Sequence, residues 1–201
     1  MKPVSGWSYR FICAFLRSCL RFMHPVIRVK GRENLPQGAA MLCCNHSAFS
    51  DPIWVIVFAK CPTLPRSMAK KELLEKPFMG WLYRKLGAFP VDRGHADVGA
   101  VKTAMQTLKN DDKVLIFPEG TRIKKGKISE PHSGAMMIAA RMKVPVVPIY
   151  LSTKKHFWQP VQLIYGKPYE PKYADAKPTQ EELEQRTAEL MQKIYTMGEK
   201  E

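Results

Sequence analysis

The chain has no apolar run long enough to cross a membrane. Its longest, Ile53–Ala59 and Phe11–Leu16, fall far short of the ~20 residues that a spanning helix needs. It lacks a disulfide framework too: Cys13, Cys19, Cys43, Cys44 and Cys61 are odd in number and irregularly spaced, which is the pattern of reduced thiols in a cytoplasmic compartment. Cys43 and His46 have no second Cys/His pair at ligand spacing, so no metal is expected. Export is not expected either, because Arg17 and Arg21 interrupt the stretch that would form the apolar core of a signal. Repeats, low-complexity segments and linkers are missing. With 45% hydrophobic residues in 201, the chain can bury a core as one domain.

Acidic residues are scarce. Eighteen Asp+Glu stand against 32 Lys+Arg, a net charge of +14, which points to an anionic partner: nucleic acid, a phospholipid surface or a phosphorylated substrate. No zinc-finger, RNP or basic-zipper pattern is present and the basic residues are scattered, so nucleic acid is not the expected partner. Residues 1–24 supply a reason to look to lipid. On a helix, Arg10, Arg17 and Arg21 fall within a stripe about 40° wide, while Trp7, Phe11, Ile12, Phe15, Leu16, Leu20, Phe22 and Met23 cover most of the remaining girth. That is the pattern of an amphipathic helix lying in a membrane interface; a helix packing a broad face on the core is the other reading.

Short apolar strands alternate with helices over residues 25–201. Strands are expected at Pro25–Lys30, Ala39–Cys44, Arg66–Ala69, Gly87–Val91, Lys113–Phe117, Val144–Leu151 and Val161–Tyr165. Helices are expected from Asp51-Pro52 to Ala59, over 77–86, over 96–109, over Gly134–Met142, and after a Thr179/Glu182 capping box. The fold class is therefore α/β: one layered domain with a mixed sheet flanked by helices, preceded by the N-terminal amphipathic helix.

Two loops that follow buried strands carry chemistry. In Cys44-Asn45-His46-Ser47-Ala48-Phe49-Ser50-Asp51, a strand-to-helix turn can fold Asp51 back onto His46. A carboxylate on one imidazole nitrogen leaves the other free as a general base; Asp51 as a plain helix N-cap is the alternative. In Phe117-Pro118-Glu119-Gly120-Thr121-Arg122, glycine allows close approach, while Thr121 and Arg122 suit a phosphate. An ordinary turn held by a Glu119–Arg122 pair is the alternative, and Lys124, Lys125 and Lys127 beyond it read as solvated charge or added field.

Taken together, Asn45-His46 with Asp51, then Phe117–Arg122, resemble the glycerolipid acyltransferase family, and most closely its bacterial 1-acyl-sn-glycerol-3-phosphate acyltransferase branch. Ala69-Lys70-Lys71-Glu72-Leu73, Pro77-Phe78-Met79-Gly80 and Gly87–Arg93 are similar to its second block, and Val144–Ile149 to its fourth. The resemblance implies acyl transfer from acyl-CoA or acyl-carrier protein to the sn-2 hydroxyl of lysophosphatidic acid, giving phosphatidic acid with no cofactor. It makes His46 the base and Asp51 its orienting partner. Lys70, Arg93 and Arg122 would hold the acceptor phosphate, Gly120 and Thr121 would shape the pocket, and Glu119 would bind substrate. It also implies a peripheral or monotopic enzyme on the cytoplasmic face of the cell membrane. One departure stands out: Pro131-His132-Ser133-Gly134 replaces the Phe-Lys-x-Gly often found there. Glycerol 3-phosphate or another lysophospholipid is an alternative acceptor. A thiol or serine hydrolase using Cys44 or Ser47 is the rival from another class.

Overall fold

Central strands in a parallel sheet are buried on both faces and read as continuous apolar runs; Ala40–Cys44 is such a strand, with all five residues buried. The computed structural model describes residues 7–61, 65–92, 97–122, 131–175 and 177–199. Its strands are β1 (Ile27–Lys30), β2 (Ala40–Cys44), β3 (Arg66–Lys70), β4 (Phe89–Val91), β5 (Lys113–Ile116), β6 (Val146–Leu151) and β7 (Val161–Tyr165). The helices are α1 (Trp7–Met23), α2 (Asp51–Ala59), α3 (Lys71–Leu74), α4 (Pro77–Lys85), α5 (Val98–Lys109), α6 (Gly134–Met142) and α7 (Gln180–Glu199). The strands form one sheet in the order β1-β7-β6-β2-β5-β3-β4. Neighbours run parallel except β6 and β7, which are antiparallel. The mixed sheet flanked by helices matches the expected class; α3 and a short 3₁₀ turn at Arg32–Asn34 were not foreseen.

Alternate residues of β2 feed two cores. Ala40, Leu42 and Cys44 join α1, α2 and α4 on one face, with all nine residues of α2 buried. Met41 and Cys43 join α5, α6 and α7 on the other. The Thr179/Glu182 capping box forms as read: Glu182 N donates to Thr179 Oγ1 at 3.2 Å, and Thr179 N donates to Glu182 Oε2 at 2.9 Å.

Two local expectations are corrected. Asp51 does not cap α2 but is its first residue, after Ser50; its carboxylate turns back to the preceding loop, whose N–H groups claim it. Helix α1 does not present Arg17 on an outer basic stripe. Arg17 Nε and Nη2 donate to Val57 O at 3.0 and 2.7 Å, and Arg32 Nε donates to Phe58 O at 2.8 Å. These guanidinium groups satisfy carbonyls in the last turn of α2, which have no intrahelical partner. Cys13 and Leu20 of α1 reach the core, while Trp7, Phe11, Phe15 and Phe22 stand exposed. The helix therefore packs on the domain with one face and holds an aromatic face outward.

Because β6, β2 and β5 are adjacent and parallel, their carboxyl ends open side by side, which is where α/β sheets place their sites. Asn45 locks two of those ends together: its Nδ2 donates to Leu151 O at 2.9 Å, and its Oδ1 accepts from Leu151 N at 2.8 Å. In Asn45→Ala both Leu151 backbone groups lose their partner in the interior. Stability should fall by about 2–6 kcal/mol, at roughly 1–3 kcal/mol for each of the two orphaned groups. Urea unfolding checks this, and an unchanged midpoint would rule the clamp out.

Candidate active site

His46 leaves the end of β2 and Asp51 opens α2, so the four residues Ser47–Ser50 lie between them. The loop closes on the carboxylate. Asp51 Oδ2 lies 3.0 Å from His46 Nδ1 and accepts the backbone N–H of Ser47 and of Ala48, each at 2.7 Å. Burial opposes the charge on Asp51. The bond to His46, the nearby Lys155 ammonium and the two N–H donors outweigh it, holding the carboxyl below its ordinary range. An ionised carboxylate only accepts, so His46 Nδ1 carries a proton, and in the neutral imidazole the lone pair is on Nε2. Nε2 makes no hydrogen bond among the described residues.

Glu119, at the end of β5, is buried and braces the same histidine from behind. Its Oε2 accepts His46 N–H at 2.8 Å, and its Oε1 accepts the Tyr195 hydroxyl of α7 at 2.5 Å. Burial raises the Glu119 pKa above the usual carboxylate value, with these two bonds working against it. The sequence places Glu119 beside Arg122 or a substrate; the structure shows one of its oxygens on the backbone of His46 and the other on the Tyr195 hydroxyl.

His46 forms part of the wall of a cleft of ≈ 280 Å³ shared with Phe49, Lys70, Lys76, Phe117 and Arg122. The imidazole lies 4.3 Å from the Phe117 ring, centre to centre. Lys70 is exposed and pairs with Glu72 at 2.9 Å, so its charge is partly engaged at the rim. Across Phe117 lies a larger cavity of ≈ 680 Å³, lined chiefly by apolar side chains from β4, α5 and α6 together with Gly120, Thr121 and His132. Gly120 adopts φ 66°, and a Cβ there would run into the His132 ring, so glycine is required on both counts. Of the expected site residues, His46, Lys70 and Arg122 share the cleft, with Asp51 and Glu119 behind His46. Gly120 and Thr121 face the larger cavity, and Arg93 and the lysines at 124, 125 and 127 lie outside the described residues.

Cys44 is fully buried, and burial drives its thiol pKa far up, which removes it as a nucleophile. Ser47 Oγ accepts from Lys155 Nζ at 2.8 Å. Lys155 and Tyr195 were missed by the sequence reading. Each belongs to a segment without a motif, and only the tertiary fold brings them to Asp51 and Glu119.

A family model described as Acyltransferase matches residues 26–152. The 1-acyl-sn-glycerol-3-phosphate acyltransferase of Bacillus subtilis is 32% identical over 198 residues, covering 96% of this chain and 98% of that protein. A chloroplastic 1-acyl-sn-glycerol-3-phosphate acyltransferase of Arabidopsis thaliana is 31% identical over 147 residues, 71% of this chain, which spans 40% of the plant protein. Among solved structures, the 1-acyl-sn-glycerophosphate acyltransferase of Thermotoga maritima shares the fold. The TM-score is 0.72 at 24% identity, covering 94% of this chain and 79% of that one.

The lowered pKa of Asp51 has a consequence for stability. A carboxyl whose folded pKa lies below its ordinary 3.8 stabilises the fold above that pH, and the contribution is lost as pH falls through the folded value. Asp51→Asn should therefore unfold more easily than the parent near neutral pH, by about 2 kcal/mol, with the gap narrowing as the pH falls below 3.8. Urea titrations at both ends of that range test this; a gap of constant size would contradict it.

Proposed function

Since the chain belongs to the acyltransferase family, we propose that it transfers a fatty acyl group from an acyl thioester to the sn-2 hydroxyl of lysophosphatidic acid, forming phosphatidic acid for phospholipid synthesis. The observation that carries this reading is the His46 imidazole. It is tied to Asp51 through Nδ1 and left with an unclaimed Nε2 on a cleft rimmed by Lys70, Lys76 and Arg122. A base beside cations is what a phosphorylated alcohol requires.

The chemistry follows from that placement. His46 Nε2 takes the hydroxyl proton as the oxygen attacks the thioester carbonyl carbon, and Asp51 steadies the imidazolium without itself becoming protonated. A C–O bond forms. The tetrahedral intermediate then expels the thiolate, the C–S bond breaks, and the proton on His46 passes to sulfur. A thiolate leaves readily, so the residues need supply only a base, orientation and charge. Arg122, Lys70 and Arg93 hold the acceptor phosphate, while Gly120 and Thr121 shape the wall toward the larger cavity, whose apolar lining suits an acyl chain. Either donor, acyl-CoA or acyl-carrier protein, is anionic and is steered by the +14 charge.

None of the described helices is long and apolar enough to cross a membrane. The outward face of α1, with Trp7, Phe11, Phe15 and Phe22 exposed beside the exposed Arg10 and Arg21, fits an anionic bilayer surface. Phe157 and Trp158 extend it. Both are exposed, and Trp158 N–H donates to Met23 O at 2.9 Å, beside the end of the helix. The enzyme then sits peripherally or monotopically on the cytoplasmic face of the cell membrane, where its acceptor already lies.

Acyl transfer in mixed micelles tests the reaction, with acyl-CoA and acyl-carrier protein as donors and lysophosphatidic acid or glycerol 3-phosphate as acceptors. Phosphatidic acid should form with lysophosphatidic acid, and His46→Ala should lose about 10²–10⁴ in rate. Equal rates in both proteins would remove His46 as the base, and product from glycerol 3-phosphate alone would move the acceptor. Replacing Trp7, Phe11, Phe15 and Phe22 together by Ser should leave the fold intact and weaken sedimentation with anionic vesicles at least about a hundredfold. Unchanged sedimentation would show that α1 is not the anchor.

A further inference from the structure

The mechanism above uses one oxygen of Asp51 and leaves the other unexplained. Oδ1 is buried and has no hydrogen bond in good geometry, yet Lys155 Nζ stands 3.0 Å from it. The Lys155 side chain is only 5% exposed. Its ammonium also meets Ser47 Oγ at 2.8 Å and Ser152 O at 2.6 Å. Two of the three ammonium donors thus have hydrogen-bond acceptors, and the ammonium faces Oδ1 as an ion pair. A lysine withdrawn from water with two donors engaged and a carboxylate in contact is a built position, unlike the exposed Lys154 next to it.

We propose that Lys155 is a positioning residue for the base: it clamps the Asp51 carboxylate and, by sharing that carboxylate with His46, keeps the imidazole ready to accept a proton. This assignment rests on the acyl-transfer reading. Lys155 and His46 address opposite oxygens of one carboxylate, so the ammonium repels the imidazolium that Asp51 attracts. The other groups facing the pair do not supply that balance. From α4, Tyr83 is neutral at working pH, its pKa raised by burial. From β2, Cys44 is neutral for the same reason. From the end of β5, Glu119 adds acidic character, tempered by Tyr195 of α7. Lys70, Glu72, Lys76 and Arg122 lie around the cleft on the solvent side, where water screens them. Lys155 also holds both ends of the loop, through Asp51 and through the Ser47 hydroxyl. Its loss would let the Nδ1 bond swing as well as change the charge.

The test compares the full-length parent with Lys155→Gln and Lys155→Arg. Two readouts are taken: the pH profile of kcat/KM for acyl transfer to lysophosphatidic acid, and the pH titration of the His46 imidazole C2 proton by NMR, assigned by its loss in His46→Ala. In Lys155→Gln the low-pH limb and the His46 midpoint should both move upward by about one pH unit, with the rate loss largest at low pH. Lys155→Arg, which keeps the charge, should restore both. A role confined to holding the fold would depress the rate by one factor at every pH and leave the midpoint in place, which would overturn the proposal. Should Lys155→Gln not fold, Asp51→Asn and Asp51→Asn/Lys155→Gln read the effect of the Lys155 charge on His46 by itself, without a buried unpaired carboxylate. The midpoint should be lower where Lys155 remains, and equal midpoints would overturn it. If the parent transfers nothing to lysophosphatidic acid while the midpoint still moves, the acyl-transfer reading falls and the action of Lys155 on His46 stands.

Discussion

The buried carboxylate of Asp51 is the constraint on which the rest of the site depends. A charge withdrawn from water is costly unless its lone pairs are taken. Here Oδ2 receives His46 and the N–H groups of Ser47 and Ala48, and Oδ1 receives the Lys155 ammonium. Satisfying one side chain therefore fixes three segments: the loop after β2, the start of α2 and the loop after β6. Helix α2 cannot tilt to relieve a poor fit. All nine of its residues are buried, and two guanidinium groups hold its far end.

Parallel strand order turns that local demand into an open cleft. β6, β2 and β5 deliver their carboxyl ends side by side, so Lys155, His46 and Glu119 come from three adjacent strands although they are far apart in sequence. Asn45 sets the spacing between two of those ends, and Glu119 sets the height of His46 by taking its backbone N–H. The same glutamate receives the Tyr195 hydroxyl, which ties the last helix to the backbone of His46. The site is thus braced by both cores.

The elements with a strong period were legible in the sequence: the apolar run of β2, the capping box of α7, and the broad apolar girth of α1. The His46–Asp51 contact was legible as a possibility, because a strand-to-helix turn is the local geometry that lets residues five apart meet. Three features were not. Asp51 before a proline and an apolar helix has the local signature of a cap, and only the competing N–H donors of the loop show that its carboxylate points the other way. Arg17 reads as part of an outer basic stripe, because periodicity gives an angle and not a direction; the unpartnered carbonyls of α2 decided which way it turns. Lys155 follows another lysine after a strand, where charge is ordinarily solvated, and its burial is a tertiary fact without local signature.

Phe117 belongs to both the cationic cleft and the larger apolar cavity, and its ring lies against that of His46. Met68 is shared by the two spaces as well. The boundary between a place for charge and a place for hydrocarbon therefore runs past the imidazole. An amphiphilic substrate is, on the acyl-transfer reading, sorted by that boundary: its phosphate would gain from Arg122 and Lys70, its chain from the apolar side, and neither would gain from exchange. On the acyl-transfer reading, the bond that forms joins a polar acceptor to an apolar chain, and its carbon belongs where the two environments meet. A base at that junction needs little further machinery to select the hydroxyl nearest it, because binding has already placed the reacting atoms. On the same reading the contacts of Glu119 and Tyr195 acquire a reason beyond stability: they keep the histidine backbone fixed at a boundary whose position would determine which hydroxyl is reached.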